Sequence, residues 1–305
     1  MKNYIPICFY PTRKIILDDD DIFTKSVLLK MNDRHFSAHA SPEELLNFLL
    51  NKYTPSFKQT DLFGVEHESH LLPRELSLQI NKWNFNASNG VSDISVVLID
   101  YHLPTMKGID LLYRIKQAPY KKILITGEQD YTIGINALNE GLIDAYIRKD
   151  DSNFLNKLNI LVSDLEWRYF TELSSASYYI SELEYLKDSN LFEKFSQIIF
   201  ENNISSFFLV NMEGDFSILN NNEGQNFLVV RSKKRLYELS LIAKEDGASK
   251  EVVNKLAKFE VIPFFGNNQY WQIPASKWDD FLYPANLLPN NSNLVWAMIS
   301  PFSSI

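Results

Sequence analysis

Three short apolar runs, each followed at once by an acidic or hydroxyl residue, constrain the fold of this chain most strongly. Residues 14–17 and 96–99 are each followed by an aspartate, and residues 123–125 are followed by Thr126. Continuous rather than alternating apolar character is typical of parallel strands that are buried on both faces of a sheet. Because the carboxyl ends of parallel strands lie at one edge of the sheet, the polar residues that follow them are predicted to meet there.

Helical signals lie between these runs. Residues 22–31 have apolar side chains at helical spacing, and residues 41–44, Ser-Pro-Glu-Glu, predict a helix start with an N-cap, a first-turn proline and a capping-box acid. A further strand is predicted over 144–147. Strands that alternate with helices indicate an α/β fold, and we predict a doubly wound domain with a parallel sheet over residues 11–152.

Two stretches depart from this alternation. Residues 52–93 are of mixed polarity with an Asn-rich end, and we interpret them as an insertion before the third strand. Residues 153–200 are interpreted as a helical linker, because apolar positions between Leu158 and Leu186 recur at spacings of three and four. This spacing fits equally a helical stalk in a dimer and a helix that packs on its own domain.

The pattern changes again after residue 200. Three strand-like runs, the first two joined by a Glu-Gly turn, precede two helical segments and an aromatic tail with several prolines. The runs are residues 207–210, 216–219 and 227–230, and the helical segments are residues 233–244 and 249–259. Residues 201–305 are therefore predicted to form a second, smaller domain of α+β type.

The composition restricts the classes of function. The chain has 38 acidic and 30 basic residues, a formal net charge of −8, which argues against bulk electrostatic binding to nucleic acid or to an anionic membrane. Cys8 is the only cysteine, which excludes an intramolecular disulfide framework and suits a reducing compartment. No apolar run approaches the roughly 20 residues that cross a bilayer. We therefore expect a cytoplasmic protein without a membrane partner or an extended nucleic-acid interface.

Acidic residues are concentrated where the strands end. Four consecutive aspartates, residues 18–21, follow the first strand, and Asp100 ends the third. Two carboxylates about 4 Å apart repel each other by roughly 4 kcal/mol at an effective dielectric constant near 20, so such a cluster requires a cation. Mg²⁺ suits it, because this ion binds a few carboxylates, a carbonyl and waters. With a hydroxyl from Thr126 and an ammonium from Lys149, the edge would form a site for phosphoryl transfer to aspartate.

Four motifs in this order resemble the receiver domain of two-component response regulators. IILDDDD at 15–21 resembles its acidic pocket, and LIDYHLPTMKG at 98–108 resembles its phosphoacceptor block. ILITG at 123–127 and AYIRK at 145–149 resemble the strands that carry its hydroxyl and its lysine. The resemblance covers about residues 11–152 and implies a five-stranded, flavodoxin-like fold.

The resemblance implies a metal site around the phosphoacceptor. Asp100 would accept the phosphoryl group and bind Mg²⁺. Asp19 would ligate the ion directly, and Asp18 would assist through water. The backbone carbonyl of His102 would complete the protein ligands, or else His102 is an ordinary loop residue. As an alternative, the acidic run at 18–21 would only place favourable charge at a helix N-terminus.

The same resemblance assigns the remaining site residues and exposes two departures. Thr126 and Lys149 would contact the phosphoryl group, and Tyr146 would be the aromatic switch, or else an ordinary packing residue. Response regulators usually carry proline after the lysine, where this chain has Asp150. The insertion at 52–93 is also foreign to the family.

Other motifs carry weaker signals. His67 and His70 are three residues apart, but no third metal ligand is evident. The basic run at 231–235 is interpreted as a solvated helix start, because 9 bases and 11 acids make residues 201–305 net negative. This second domain contains no histidine and no cysteine, which argues against histidine-based catalysis in it. It is similar to an uncharacterised output region, and the whole arrangement resembles Lqs-type quorum-sensing regulators of Legionella.

The resemblance implies a response regulator that is not itself an enzyme. A histidine kinase or phosphotransfer protein would phosphorylate Asp100, and a movement of Tyr146 would change homodimerisation or the contacts of the output domain with a protein target. One alternative is a receiver-like scaffold that binds proteins without phosphorylation. Another is an aspartate-dependent phosphatase of the haloacid dehalogenase type, which needs a second carboxylate where this chain has His102.

Overall fold

The structure is a computed structural model, which describes residues 4–53, 93–127, 131–220, 224–266 and 270–300. The strands are β1 (Cys8–Phe9), β2 (Arg13–Leu17), β3 (Phe36–His39), β4 (Ile94–Asp100), β5 (Lys121–Thr126), β6 (Ala145–Arg148), β7 (Ile204–Leu209), β8 (Asp215–Asn220), β9 (Gly224–Ser232), β10 (Val261–Pro263), β11 (Leu282–Pro284), β12 (Asn286–Leu287) and β13 (Leu294–Ile299). The α-helices are α1 (Asp21–Met31), α2 (Pro42–Asn47), α3 (Gly108–Arg114), α4 (Tyr131–Asn139), α5 (Phe154–Leu173), α6 (Ser189–Glu201), α7 (Lys233–Glu245) and α8 (Lys250–Ala257).

The described residues divide into two units. The first unit contains residues 11–53 and 93–173, and the second contains residues 4–10 and the described part of 174–300. Most of the predicted insertion and both histidines of its His67–His70 motif lie outside the described residues. Within the described residues, no helix is both long enough and apolar enough to span a bilayer.

The first unit is built on a parallel sheet with strand order β3-β2-β4-β5-β6. This confirms the predicted doubly wound, five-stranded α/β fold, and the four predicted strands coincide with β2, β4, β5 and β6. The short strand β3 carries one buried residue, Phe36, which explains why no apolar run marks it in the sequence.

Alternate residues of the central strands enter two hydrophobic clusters, as expected when successive side chains point to opposite faces of a sheet. Val97 and Ile99 of β4 pack with α2, α3 and α4, whereas Val96 and Leu98 pack with α1 and α5. Helices therefore cover both faces, and the carboxyl edge of the sheet is left for polar residues.

The stretch predicted as a helical linker is helical but is not one element. Helix α5 supplies Leu158, Val162 and Leu165 to the core of the first unit, so the packing alternative describes it and the continuous helical stalk does not. After Ser174 the chain forms two 3₁₀ segments, Ser175–Tyr179 and Ser181–Lys187, before α6 begins. The first unit thus extends beyond the predicted boundary at residue 152, because α5 is needed to cover its sheet.

The second unit contains an antiparallel sheet with strand order β1-β7-β8-β9-β13-β12 and a two-stranded sheet of β10 and β11. The predicted runs coincide with β7, β8 and β9, and the two predicted helices coincide with α7 and α8. The fully buried Trp278 packs with α7, α8 and the sheet. The predicted α+β character is therefore present, with one strand, β1, supplied by the amino-terminal residues.

Candidate functional site

The predicted polar residues meet at the carboxyl edge of the parallel sheet. Asp18 follows β2, Asp100 and Thr126 end β4 and β5, and Lys149 follows β6. The Lys149 Nζ lies 2.7 Å from Asp18 Oδ2 and 3.0 Å from Asp100 Oδ1. Three of these residues, Asp18, Asp100 and Lys149, are separated by up to 131 positions in sequence and form one ion-paired cluster. Thr126 ends β5, the strand that lies between β4 and β6.

Main-chain hydrogen bonds hold these residues in register. The Lys149 N–H donates to the carbonyl of Thr126 at 2.9 Å, and the Asp18 N–H donates to the carbonyl of His39 at 3.1 Å. Asp20 is the N-cap of α1, and its carboxylate accepts hydrogen bonds from the N–H groups of Ile22 and Phe23. The helix-start alternative thus describes Asp20, while Asp18 belongs to the cluster.

The cluster contains more negative than positive charge. Carboxylate oxygens of Asp18, Asp19 and Asp100 all lie within 4.8 Å of one another. Asp18 and Asp100 are buried, with 1% and 4% of their surface exposed, and Asp19 is exposed. Burial raises the pKa of the Asp100 carboxyl above its ordinary value, although the neighbouring ammonium of Lys149 opposes this shift. Three carboxylates face one ammonium, so the site can accommodate a further cation.

The donor set fits Mg²⁺. Three carboxylates from two adjacent strand ends supply hard oxygen ligands, and the exposed side of Asp19 leaves room for waters. The imidazole of His102 is exposed and does not belong to the group of possible metal ligands formed by the three aspartates. The backbone N–H of His102 donates to Asp100 Oδ2 at 3.1 Å. The metal-binding role of the His102 carbonyl stays a prediction.

Thr126 contributes a buried hydroxyl with unused hydrogen-bonding capacity. The residue has no exposed surface, and its Oγ1 has no hydrogen-bond partner among the residues that the structure describes. Buried polar atoms in folded proteins are nearly always paired, so an unpaired hydroxyl beside an acidic cluster indicates a site where another group can bind.

A glycine makes the close approach of α3 to Asp100 feasible. A Cβ atom at Gly108 would lie 2.0 Å from the backbone oxygen of Asp100. The sequence pattern placed Gly108 eight residues after the phosphoacceptor, and this contact gives the physical reason for a glycine there.

Tyr146 lies on β6, the strand that leads to Lys149. Its ring packs over Gly134 of α4 and against the hydrophobic cluster on that face of the sheet. The switch role assigned to Tyr146 stays a prediction, and this packing identifies the surface on which the ring rests.

Asp150, at the position where response regulators usually carry proline, is compatible with the contacts of Lys149 to the acidic cluster. The Asp150 carboxylate accepts hydrogen bonds from the guanidinium of Arg148 at 3.0 and 2.5 Å, which lowers the pKa of Asp150. Lys149, between these two residues, still reaches Asp18 and Asp100.

Sequence reasoning missed one residue that contacts the cluster. Phe23 was assigned only to the apolar face of α1, yet its ring centroid lies 4.7 Å from Lys149 Nζ. Its position two residues after the acidic run was the available signal, but helical spacing alone explains an apolar residue there.

The basic run of the second unit is not a uniformly solvated helix start. Arg231 is 5% exposed, and its Nη1 lies 2.6 Å from Asp215 Oδ1. Ser232 caps α7 by accepting a hydrogen bond from the N–H of Arg235. The run therefore begins with a buried ion pair. Sequence analysis could not detect this pair, because Asp215 lies on another strand.

Comparison with solved structures connects both units to a known protein. The fold is similar to that of the Legionella pneumophila response regulator LqsR, with a TM-score of 0.75 and 28% identity over 97% of this chain and 89% of that chain. The receiver domain of the response regulator TorR and that of the Francisella response regulator 1452 each match 52% of this chain, with TM-scores of 0.35 and 0.34. These two are 19% and 16% identical to this chain, and 99% and 98% of their own lengths are covered.

No family model and no curated protein matches the sequence. The similarity to LqsR spans both units, so the second unit as well as the parallel-sheet unit is shared with that response regulator. The chain therefore resembles a response regulator over both of its units, in agreement with the family that its motifs indicated.

Proposed function

We propose that this protein is a response regulator that is phosphorylated on Asp100 in a Mg²⁺-dependent reaction. The observation that carries this proposal is the bridging position of Lys149, whose ammonium lies 2.7 Å from Asp18 and 3.0 Å from Asp100. The hydroxyl of Thr126, at the end of the neighbouring strand β5, is buried and has no hydrogen-bond partner among the described residues. The similarity to LqsR, which is itself described as a response regulator, supports the same function.

The chemical step uses a carboxylate oxygen of Asp100 as the nucleophile. It attacks the phosphorus of a phosphohistidine or of an acyl phosphate, and a new P–O bond forms as the bond from phosphorus to the donor nitrogen or oxygen breaks. The electron pair of that bond leaves with the donor, and an imidazole donor then takes its proton from water. In this proposal Lys149 and Thr126 would contact oxygens of the transferred group.

Asp18, Asp19 and Asp100 are the residues that would hold Mg²⁺, with the predicted carbonyl of His102. When bound, the ion would supply positive charge against the phosphoryl oxygens. The chain's own residues orient the nucleophile, because the N–H of His102 holds Asp100 Oδ2 and the ammonium of Lys149 holds Asp100 Oδ1.

The energy available from phosphorylation is sufficient for a conformational switch. The added group carries about −1.5 to −2 charges. New charge-assisted hydrogen bonds from Thr126 and Lys149, at about 1.5 to 3 kcal/mol each, total roughly 3 to 6 kcal/mol. Moving an equilibrium from 1:99 to 99:1 requires about 5.5 kcal/mol, which lies within this range. A movement of Tyr146 would then transmit the change to homodimerisation or to the contacts of the second unit with a protein target.

The proposal includes partners and location. A histidine kinase or a phosphotransfer protein would supply the phosphoryl group in the cytoplasm, and the protein itself would not turn over a substrate. Residues 201–305 carry 9 basic and 11 acidic side chains, and this net negative charge supports a protein target rather than nucleic acid.

Incubation of the full chain with acetyl phosphate and MgCl₂, followed by intact mass spectrometry, tests the proposal. We expect one phosphoryl group on the wild type, none on Asp100→Asn, and none on the wild type when EDTA replaces MgCl₂. An unmodified wild type, or equal modification of Asp100→Asn, would instead favour a scaffold that binds proteins without phosphorylation. Steady turnover of p-nitrophenyl phosphate would favour a phosphatase.

A further inference from the structure

An aromatic ring lies against the lysine of the candidate site. Phe23, in the first turn of α1, has its ring centroid 4.7 Å from the Nζ of Lys149. A second ring, that of Phe154 at the start of α5, lies 5.3 Å from that of Phe23 at an interplanar angle of 50°. Phe154 is buried and Phe23 is half-buried, so the ring beside the ammonium is supported from behind by the hydrophobic core.

The ring supplies a restraint that the two carboxylates do not. A lysine ammonium is a compact charge on a flexible four-carbon stem, and the side chain of Lys149 is 28% exposed. A cation within about 6 Å of an aromatic centroid is attracted by the negative electrostatic potential of the ring face. Phe23 therefore contacts the ammonium in addition to Asp18 and Asp100.

The space around Lys149 shows what this restraint opposes. A cavity of about 440 Å³ borders Phe23, Lys149 and Phe154, and Asp151 also lines it. Asp151 already pairs with Lys157, yet its carboxylate offers a second acidic partner two residues from Lys149. Without the ring, the ammonium could turn away from Asp100 towards this cavity.

We propose that Phe23 is a positioning residue that holds the ammonium of Lys149 at the phosphoacceptor. This inference rests on the proposed function, since it assigns a role in the phosphorylation of Asp100. Phe23 does not touch the reacting atoms and acts through Lys149. Removing the attraction of the ring is expected to slow phosphorylation about two- to fivefold, the range given by cation–aromatic contacts near a protein surface.

The first measurement reports the contact itself and requires no phosphorylation. In the full chain with ¹³C-labelled lysine, the ε-methylene protons of Lys149 are assigned by their disappearance in Lys149→Arg. We expect the ring of Phe23 to shift them upfield, the shift to be lost in Phe23→Leu, and most of it to remain in Phe23→Tyr. Identical Lys149 signals in the wild type and in Phe23→Leu would overturn the proposal, even if no variant could be phosphorylated.

The second measurement is the rate of Asp100 phosphorylation at a fixed, subsaturating concentration of acetyl phosphate with MgCl₂. We expect Phe23→Leu to be two- to fivefold slower than the wild type and Phe23→Tyr to recover most of the rate. Phe36→Leu is the matched control, because Phe36 is a buried ring of the same hydrophobic cluster that lies on β3 and not beside Lys149. An equal loss in Phe36→Leu and Phe23→Leu would show a general packing effect. An unchanged rate in Phe23→Leu would show that the contact has no role in the reaction, and either result overturns the proposal.

Discussion

Replacing Gly134 with alanine tests whether the ring of Tyr146 rests on α4. A Cβ atom at Gly134 would lie 2.7 Å from Cγ of Tyr146, 2.9 Å from Cδ2 and 3.1 Å from Cδ1. Favourable contacts between carbon atoms occur at about 3.5 to 4.0 Å, so the ring must retreat by roughly 1 Å. Tyr146 packs against the hydrophobic cluster on this face, which resists that retreat.

Two effects of opposite sign determine the expected change in stability. Alanine is favoured over glycine inside a helix by about 0.8 to 1 kcal/mol. Overpacking a filled site costs about 1 to 3 kcal/mol. Gly134→Ala is therefore expected to lower the free energy of unfolding by about 0 to 2 kcal/mol. When Tyr146 is first replaced by alanine, the steric cost disappears, and the same substitution at Gly134 should raise the free energy of unfolding by up to about 1 kcal/mol.

Urea unfolding of the full chain, followed by circular dichroism, measures both effects in a double-mutant cycle of Gly134→Ala and Tyr146→Ala. We expect a coupling energy of about 1 to 3 kcal/mol between the two sites, as residues in direct contact can show. If Gly134→Ala changes the stability equally with and without the Tyr146 ring, the ring does not rest on α4, and the packing on which the switch prediction relies is absent.

Two further substitutions address the phosphoacceptor loop and the insertion. Gly108→Ala should prevent normal packing of α3, because its Cβ would lie 2.0 Å from the backbone oxygen of Asp100. We expect phosphorylation by acetyl phosphate to be at least tenfold slower, and a rate equal to that of the wild type would contradict the need for a glycine at this position. Replacement of residues 54–92 by a short Gly-Ser linker should preserve phosphorylation. The reason is that the N–H of Ile94 donates to the Tyr53 hydroxyl at 2.9 Å, so the two ends of the segment lie together. Loss of the folded sheet, measured by circular dichroism, would show that the segment is required.

The sequence predicted the site well because its determinants are local. An apolar run followed by a polar residue identifies the carboxyl end of a buried parallel strand, and topology alone then brings Asp18, Asp100, Thr126 and Lys149 to one edge. Each prediction needed only the few residues around a strand end. Their convergence in space follows from the parallel sheet and not from contacts that the sequence would have to reveal.

The features that sequence analysis missed depend on contacts across the fold. The apolar spacing of α5 is the same for a helix in a linker and for a helix that packs on a sheet. Leu158 and Val162 are core residues because α5 covers one face of the parallel sheet, which the spacing alone does not reveal. Strand β1 has two residues, and its pairing of Cys8 with Phe208 joins segments 200 positions apart. Phe23 shows the same limit, because its spacing on α1 indicates burial but not the ammonium beside its ring.

The balance of charge distinguishes the cluster at the edge of the parallel sheet from the ion pairs of the second unit. In the second unit, Arg231 pairs with Asp215, and Glu213 lies beside both Arg231 and Arg235, so two guanidinium groups face two carboxylates. A buried pair that is matched in this way needs no further ion. In the first unit, the ammonium of Lys149 pairs with two buried carboxylates, those of Asp18 and Asp100, and Asp19 brings a third carboxylate within 4.8 Å of them. Such an excess of negative charge is costly in a site that serves stability alone, and it is the condition that favours a divalent cation.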